Sequence, residues 1–334
     1  MRPMNPARRH SPNVTFDNQH PGHSDARQEL LEGLACAQKT INPKYFYDRR
    51  GSELFDQITR LPEYYPTRTE IAILDGFRQE IAGYCGSGCV LIEPGSGSSE
   101  KVRLLLDAVL PAAYVPLDIS ASFLQQAALR LGEEFPWLPI HAVCADFAHH
   151  RDLPGELPPG RRVVFYPGST IGNLEPEAAQ LFLRRLRQWI GGDGGLLVGV
   201  DLHKSTERLA AAYNDAAGVT AEFNRNLLHH LNRVLGADFD PQQFRHHAFY
   251  DPSRRRIEMH LVSARAQTVR HDRGAIRFAS GESIHTENSY KYTHESFAAL
   301  AAGAGLALRA TWSDDAALFA VHYLAPEGSA PPDG

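Results

Sequence analysis

The stretch Val90-Leu-Ile-Glu-Pro-Gly-Ser-Gly-Ser-Ser-Glu-Lys101 decides the fold. Val90, Leu91 and Ile92 form an apolar, largely β-branched run that suits a strand buried on both faces. Glu93 ends it, and a turn with Gly95 and Gly97 follows. Ser98 or Ser99 then stands where a helix cap belongs, ahead of a helix through Lys101–Val109. Strand, glycine turn and helix N-terminus, in that order, make a nucleotide site in a doubly wound α/β sheet. Such a site wants a second acid about 20 residues on, at the end of the next strand, to hold ribose hydroxyls. Ala113-Tyr-Val-Pro-Leu-Asp118 supplies it as Asp118. The glycine turn alone is a weak signal; with Asp118 it points to a bound nucleotide or nucleoside.

The chain has 334 residues, 43% hydrophobic and 22% charged, enough for a sizeable core in one large or two medium domains. A net charge of −5 speaks against a nucleic-acid-binding face. No apolar run approaches the roughly 18 residues of a membrane span, so no membrane partner is expected. The N-terminus carries arginines without an apolar core, unlike a secretory signal. Cys36, Cys85, Cys89 and Cys144 lack zinc-site spacing and read as structural thiols of a reducing compartment, so a cytoplasmic protein is expected.

Along the chain, residues 1–22 are polar and proline-bearing and read as a disordered tail. A helix is expected from Ser24 to about Gln38. Residues 44–70 crowd four tyrosines and two phenylalanines around Gly51 and Pro62 outside a clean period; aromatics of this kind are either plugs under a loop or a ligand wall. A helix over Glu70–Tyr84 leads to the first strand of the sheet. Strands are expected at 89–93, 113–118, 140–145, 162–166 and 195–201, with helices near 99–109, 120–134, 175–190 and 206–216 between or after them. After Asp201 the alternation stops. Thr220–Leu235 reads as a long helix, and period-2 segments follow near 244–250, 256–265 and 267–272. Thr293–Gly305 reads as a helix, and Leu306–Trp312 with Leu318–Leu324 as an antiparallel pair. A seven-stranded sheet with a C-terminal hairpin is the plan of class I methyltransferases.

Glu93, Gly95, Lys101, Asp118, Asp146 and Phe147 fall at strand C-termini or on the first helix and suit S-adenosylmethionine. That donor needs a carboxylate for its ribose, an apolar cover for its adenine, and a cation or open backbone for its methionine carboxylate. Asn173 lies in the loop after the fourth strand, where an acceptor amine is met, although Asn in a turn is commonplace. Tyr213 suits helix packing equally well. Glu287 and Ser289 share one face of an extended segment, where a carboxylate and a hydroxyl together grip a polar ring or simply meet solvent. The pairs His149-His150, His229-His230 and His246-His247 point oppositely in a strand, so no metal centre is expected.

These stretches carry a resemblance. Tyr45-Phe-Tyr-Asp…Gly51-Ser-Glu-Leu-Phe-Asp-Gln-Ile-Thr-Arg-Leu-Pro-Glu-Tyr-Tyr-Pro-Thr-Arg68, Glu93–Lys101, Pro167-Gly-Ser-Thr-Ile-Gly-Asn-Leu174, Gly218–Asn224, Gly236–Asp240, Ile257-Glu-Met259 and Thr286-Glu-Asn-Ser289 are similar to the histidine Nα-methyltransferase family of ergothioneine biosynthesis. The resemblance spans about residues 25–325, and Pro94 departs from it where an aliphatic residue is more usual. It implies a methyltransferase domain of residues 70–201 plus 291–325 and a smaller α+β substrate lobe of 23–69 plus 202–290. It implies that Gly95, Lys101, Asp118, Asp146 and Phe147 bind S-adenosylmethionine. Tyr64, Asn173 and Tyr213 would hold the histidine backbone, with Tyr47 near its amine. Glu287 and Ser289 would hold the imidazole, with Met259 beside it. The implied activity is trimethylation of L-histidine to hercynine by a monomer. An N-methyltransferase of another amino acid, such as a tryptophan derivative, and a non-catalytic sensor remain open at this stage.

Overall fold

The computed structural model describes residues 12–19, 23–146, 153 and 157–329. In chain order they form β1 (Val14–Asn18), α1 (His23–Ala35), β2 (Lys39–Thr40), α2 (Arg49–Ile58), α3 (Tyr65–Gly76), α4 (Arg78–Cys85), β3 (Val90–Pro94), α5 (Glu100–Val109), β4 (Ala113–Asp118), α6 (Ala121–Glu134), β5 (Ile140–Cys144), β6 (Arg162–Tyr166), α7 (Pro176–Ile190) and β7 (Gly195–Asp201). The second half adds α8 (Thr206–Tyr213), α9 (Val219–Leu235), β8 (Phe244–Asp251), β9 (Arg256–Ser263), β10 (Gln267–His271), β11 (Gly274–Phe278), β12 (Ser283–Tyr290), α10 (His294–Ala302), β13 (Leu306–Ser313) and β14 (Phe319–Pro326).

The main sheet runs β1-β5-β4-β3-β6-β7-β14-β13. The first six strands are parallel, and β14 and β13 return antiparallel. The chain builds outward from β3 to β5, then returns to β6 and β7. The order therefore reverses beside β3, and the crevice of such a sheet opens at the carboxyl ends there. Leu91 joins the core on one face, and Val90 and Ile92 join the core on the other. Burial on both faces is why the strand reads as an unbroken apolar run.

A third core lies apart from these two. It gathers Leu30 and Leu34 of α1, Leu54 and Ile58 of α2, Leu227 and Leu231 of α9, and Ile257, Met259 and Leu261 of β9. Over it lies a second sheet in the order β2-β12-β9-β8, with β10 and β11 paired beside it.

Four expectations change. The tail of 1–22 contains an ordered edge strand: β1 pairs parallel with β5, which makes the expected seven-stranded sheet eight-stranded. The Asn13 amide pins its start by donating to the carbonyls of Leu138 at 2.8 Å and Phe135 at 3.1 Å. Its side chains are mostly exposed, so it carries no apolar signature. The tyrosine-rich segment is helical rather than loop: Asp48 accepts from the Gly51 N–H at 2.7 Å and starts α2. The helix expected over 70–84 is two helices, which meet at the non-helical Phe77. Ser99 stands at the start of α5 but does not cap it; its hydroxyl instead pairs with the Tyr114 hydroxyl at 3.1 Å.

Candidate active site

The donor edge is built by the ends of β3, β4 and β5. Gly95 and Gly97 take positive φ of 71° and 53°, and nothing stands within 4 Å of where a Gly97 Cβ would be. A side chain there would be strained and would fill the cradle. Asp118 ends β4 and accepts from the Gly97 N–H at 3.1 Å and the Ser120 N–H at 2.9 Å, one on each oxygen. Each carboxylate oxygen keeps lone-pair capacity for a further donor, which suits a ribose diol. Burial pushes the Asp118 carboxyl up, against the pull of those N–H groups. Asp146 follows β5 and accepts from Lys44 at 2.9 Å, tying the donor edge to the tyrosine-rich segment. Phe147 lies outside the described residues.

Lys101, on the first turn of α5, is paired with Glu70 at 2.5 Å. Glu70 is fully buried and also accepts from the Gly168 N–H at 2.9 Å. It fits over β7 only because residue 199 is glycine; a Cβ there would fall 2.0 Å from a Glu70 oxygen. Glu93 is buried and accepts from the Tyr114 hydroxyl, and burial raises its carboxyl to about 8. It acts inside the sheet rather than in the crevice.

A cleft of about 390 Å³ opens between the main sheet and the third core, lined by Tyr47, Phe55, Tyr64, Pro66, Gly168, Ser169, Thr170, Asn173, Asp201, Tyr213, Glu287, Ser289 and Lys291. Six of the residues singled out in the sequence therefore meet there: Tyr47, Tyr64, Asn173, Tyr213, Glu287 and Ser289. The aromatic crowd divides between core and cleft. Phe46 and Tyr65 are core plugs, whereas Tyr47 and Tyr64 wall the cleft, edge-on to Phe55. Burial, then the charges of Glu287 and Asp118 among its neighbours, pushes the Tyr47 phenol well above its ordinary value.

Glu287 and Ser289 reach the cleft through a bulge. His285 faces His260 and Glu287 faces Met259, so β12 carries one residue more than β9 between those pairs. Thr286 is that extra residue, tied to the Met259 carbonyl at 3.0 Å and to Asn224 at 2.9 Å. Unbulged alternation from the buried Ile284 would turn Glu287 outward. Met259, expected beside the ring, is a core residue paired with Glu287 in register, and it does not line the cleft. Among the described residues nothing donates to the Glu287 carboxylate, and burial raises it to about 7 although Lys291 is near.

Beneath this rail is a network the sequence did not reveal. Asp201, at the end of β7, accepts from Tyr65 at 2.8 Å, Lys204 at 2.5 Å and Lys291 at 2.7 Å. Burial would raise its carboxyl, but the two ammonium groups hold it below its usual range. Outside the cleft, Glu258, His260 and His285 bring possible ligand atoms within 4.8 Å of one another. Glu258 already accepts from Arg256 at 2.6 Å and bonds His260 at 2.9 Å, so we assign no ion to this cluster.

A parallel sheet with an antiparallel C-terminal pair, a glycine turn after its central strand and a carboxylate at the end of the next define a class I S-adenosylmethionine-dependent methyltransferase. Residues 26–326 match the family described as histidine-specific, S-adenosylmethionine-dependent methyltransferases, and the chain belongs to that family. It is 47% identical over 303 residues to a histidine N-alpha-methyltransferase of Mycolicibacterium smegmatis, covering 88% of this chain and 92% of that one. To the Mycobacterium tuberculosis protein of the same name it is 44% identical over 313 residues, covering 91% and 96%. It also shares 32% identity over 289 residues with ergothioneine biosynthesis protein 1 of Neurospora crassa, covering 80% of this chain and 31% of that longer protein.

Proposed function

We propose that the cleft takes L-histidine and that the chain methylates its α-amine three times, giving hercynine, the first step of ergothioneine biosynthesis. The observation that carries this reading is the cleft itself, where a carboxylate–hydroxyl rail lies across from an aromatic wall, next to the donor edge. Residues 70–201 with 291–325 form the donor-binding domain in this reading, and 23–69 with 202–290 the substrate lobe. Gly95, Lys101, Asp118, Asp146 and Phe147 hold the donor. Tyr64, Asn173 and Tyr213 hold the amino-acid backbone, and Glu287 and Ser289 hold the ring. The four free cysteines fit a reducing, cytoplasmic setting, and we read the enzyme as a monomer.

Bound at this edge, S-adenosylmethionine supplies an electrophilic methyl on a sulfonium. The chain's own work is positioning. The α-amine must shed its proton before its lone pair can attack the methyl. Tyr47 is a neutral phenol, so it orients the amine while the proton passes to water; Asn173 offers amide contacts from the facing loop.

The test is incubation of purified protein with S-adenosylmethionine and a panel of amino acids, read by product mass. Histidine carrying three methyl groups is expected. A tryptophan product in its place would move the assignment to another substrate, and no product with any amino acid would favour a sensor. Glu287→Ala should remove most of the preference for histidine over tryptophan.

A further inference from the structure

Lys291 is buried under the cleft with its ammonium group fully committed. It meets Asp201 at 2.7 Å, the Ser289 hydroxyl oxygen at 2.7 Å and the Tyr213 hydroxyl oxygen at 3.3 Å. An ammonium has three hydrogens to give and no lone pair. Each oxygen facing it must therefore accept. The Tyr213 hydroxyl in turn donates to Ser289 at 2.7 Å. Both lone pairs of the Ser289 oxygen are then taken, and only its hydrogen is left for a ligand. Glu287, two residues away on the same rail, is acceptor-only once ionised. The rail thus offers one acceptor and one donor in a set order.

We propose that Lys291, anchored by Asp201, positions Ser289 as an obligate donor and so selects a neutral azole ring, which gives its N–H to Glu287 and its bare nitrogen to Ser289. This rests on the reading of Glu287 and Ser289 as the ring contacts. An indole has an N–H and no bare nitrogen, so it leaves the Ser289 hydrogen unpaired. A site with an unpaired buried group discriminates strongly against such a ring. Lys291 is a positioning residue in this scheme, acting through Ser289 without touching the substrate ring.

The experiment is a double-mutant cycle on the full-length enzyme with Lys291→Met, Ser289→Ala and the pair. Losing one charge-assisted bond should raise the histidine KM of Lys291→Met roughly tenfold, with kcat and the affinity for S-adenosylhomocysteine each within about twofold of the parent. Adding Lys291→Met to Ser289→Ala should cost no more than about twofold further, because the partner through which it acts is gone. Lys291→Gln, whose amide still donates, should recover part of the KM. An unchanged KM in Lys291→Met, or single effects that multiply in the pair, would overturn the proposal. If Lys291→Met leaves Asp201 too poorly compensated to fold, Asp201→Asn/Lys291→Met is compared with Asp201→Asn in the same way. The two readings fail differently. A Glu287→Ala enzyme that keeps its full histidine preference removes the ring assignment itself. Multiplying effects in an enzyme that still needs Glu287 remove only the role of Lys291.

Discussion

Glu287 combines a half-buried side chain, a carboxyl raised to about 7 and, among the described residues, no protein donor, which is the condition of an acceptor waiting for its partner. Below that pH the free enzyme carries a proton there and cannot form the charge-assisted bond to a ring N–H that we propose; raising the pH restores it. The profile of kcat/KM for histidine, which reports groups of free enzyme and free substrate, should therefore show an inflection near 7 that Glu287→Gln abolishes. The substrate's own ionisations, of its imidazole at about 6.5 and of its α-amine at higher pH, should remain in both enzymes. At the donor edge, Asp118→Ala removes the carboxylate we propose for the ribose. That loss is worth roughly 1.5–3 kcal/mol, so S-adenosylhomocysteine should bind about tenfold to a hundredfold more weakly by calorimetric titration. Unchanged affinity in a folded variant would take Asp118 out of the site. Asp118 was legible because it ends an apolar strand at the right distance from the glycine turn. Lys291 continues the same two-residue spacing as Glu287 and Ser289, and that spacing was the available clue to it. Glu70 and Asp201 were not legible, because their roles consist of partners that stand far away in the chain, as Lys101 does for Glu70 and Tyr65 for Asp201.

At the scale of elements, the parallel strands declared themselves because both their faces are apolar. Strand β1 did not, since an edge strand with exposed side chains looks like any polar segment. Helix α2 hid among aromatics: its buried positions Leu54 and Ile58 do keep helical spacing, but over barely two turns. The bulge in β12 was invisible, because it depends on the partner strand's count of residues. It has a sharp consequence for deletions. Removing Thr286 takes out the extra residue and leaves Glu287 opposite Met259, so histidine activity should survive with a lower melting temperature. Removing Asn288 should turn Ser289 to the outer face and lose at least about tenfold in kcat/KM. Equal activity in the two deletion variants would contradict this account of the strand.

Over the whole molecule, from α1 onward the chain passes between the third core and the main sheet at three places. One lies within α3, after Tyr65; one follows Asp201; one is at the end of β12. A residue near each of them, Tyr65, Lys204 and Lys291, contacts the same carboxylate, Asp201. Breaking a buried ionic cluster by removing one partner typically costs about 3–5 kcal/mol. Asp201→Asn should therefore lower the melting temperature and split one calorimetric transition into two, as the cores lose their coupling. A single transition at the parent temperature would show that the cores are joined elsewhere. The feature also has a mechanical meaning. A hinge needs crossings that are free to rotate, and here the three that follow α1 are riveted at one point. Small ligands should then enter and leave by movements of side chains and local loops, without one half of the molecule swinging away from the other. Small-angle scattering should record the same radius of gyration before and after S-adenosylhomocysteine and histidine are added, and a contraction on binding would show that the rivet slips.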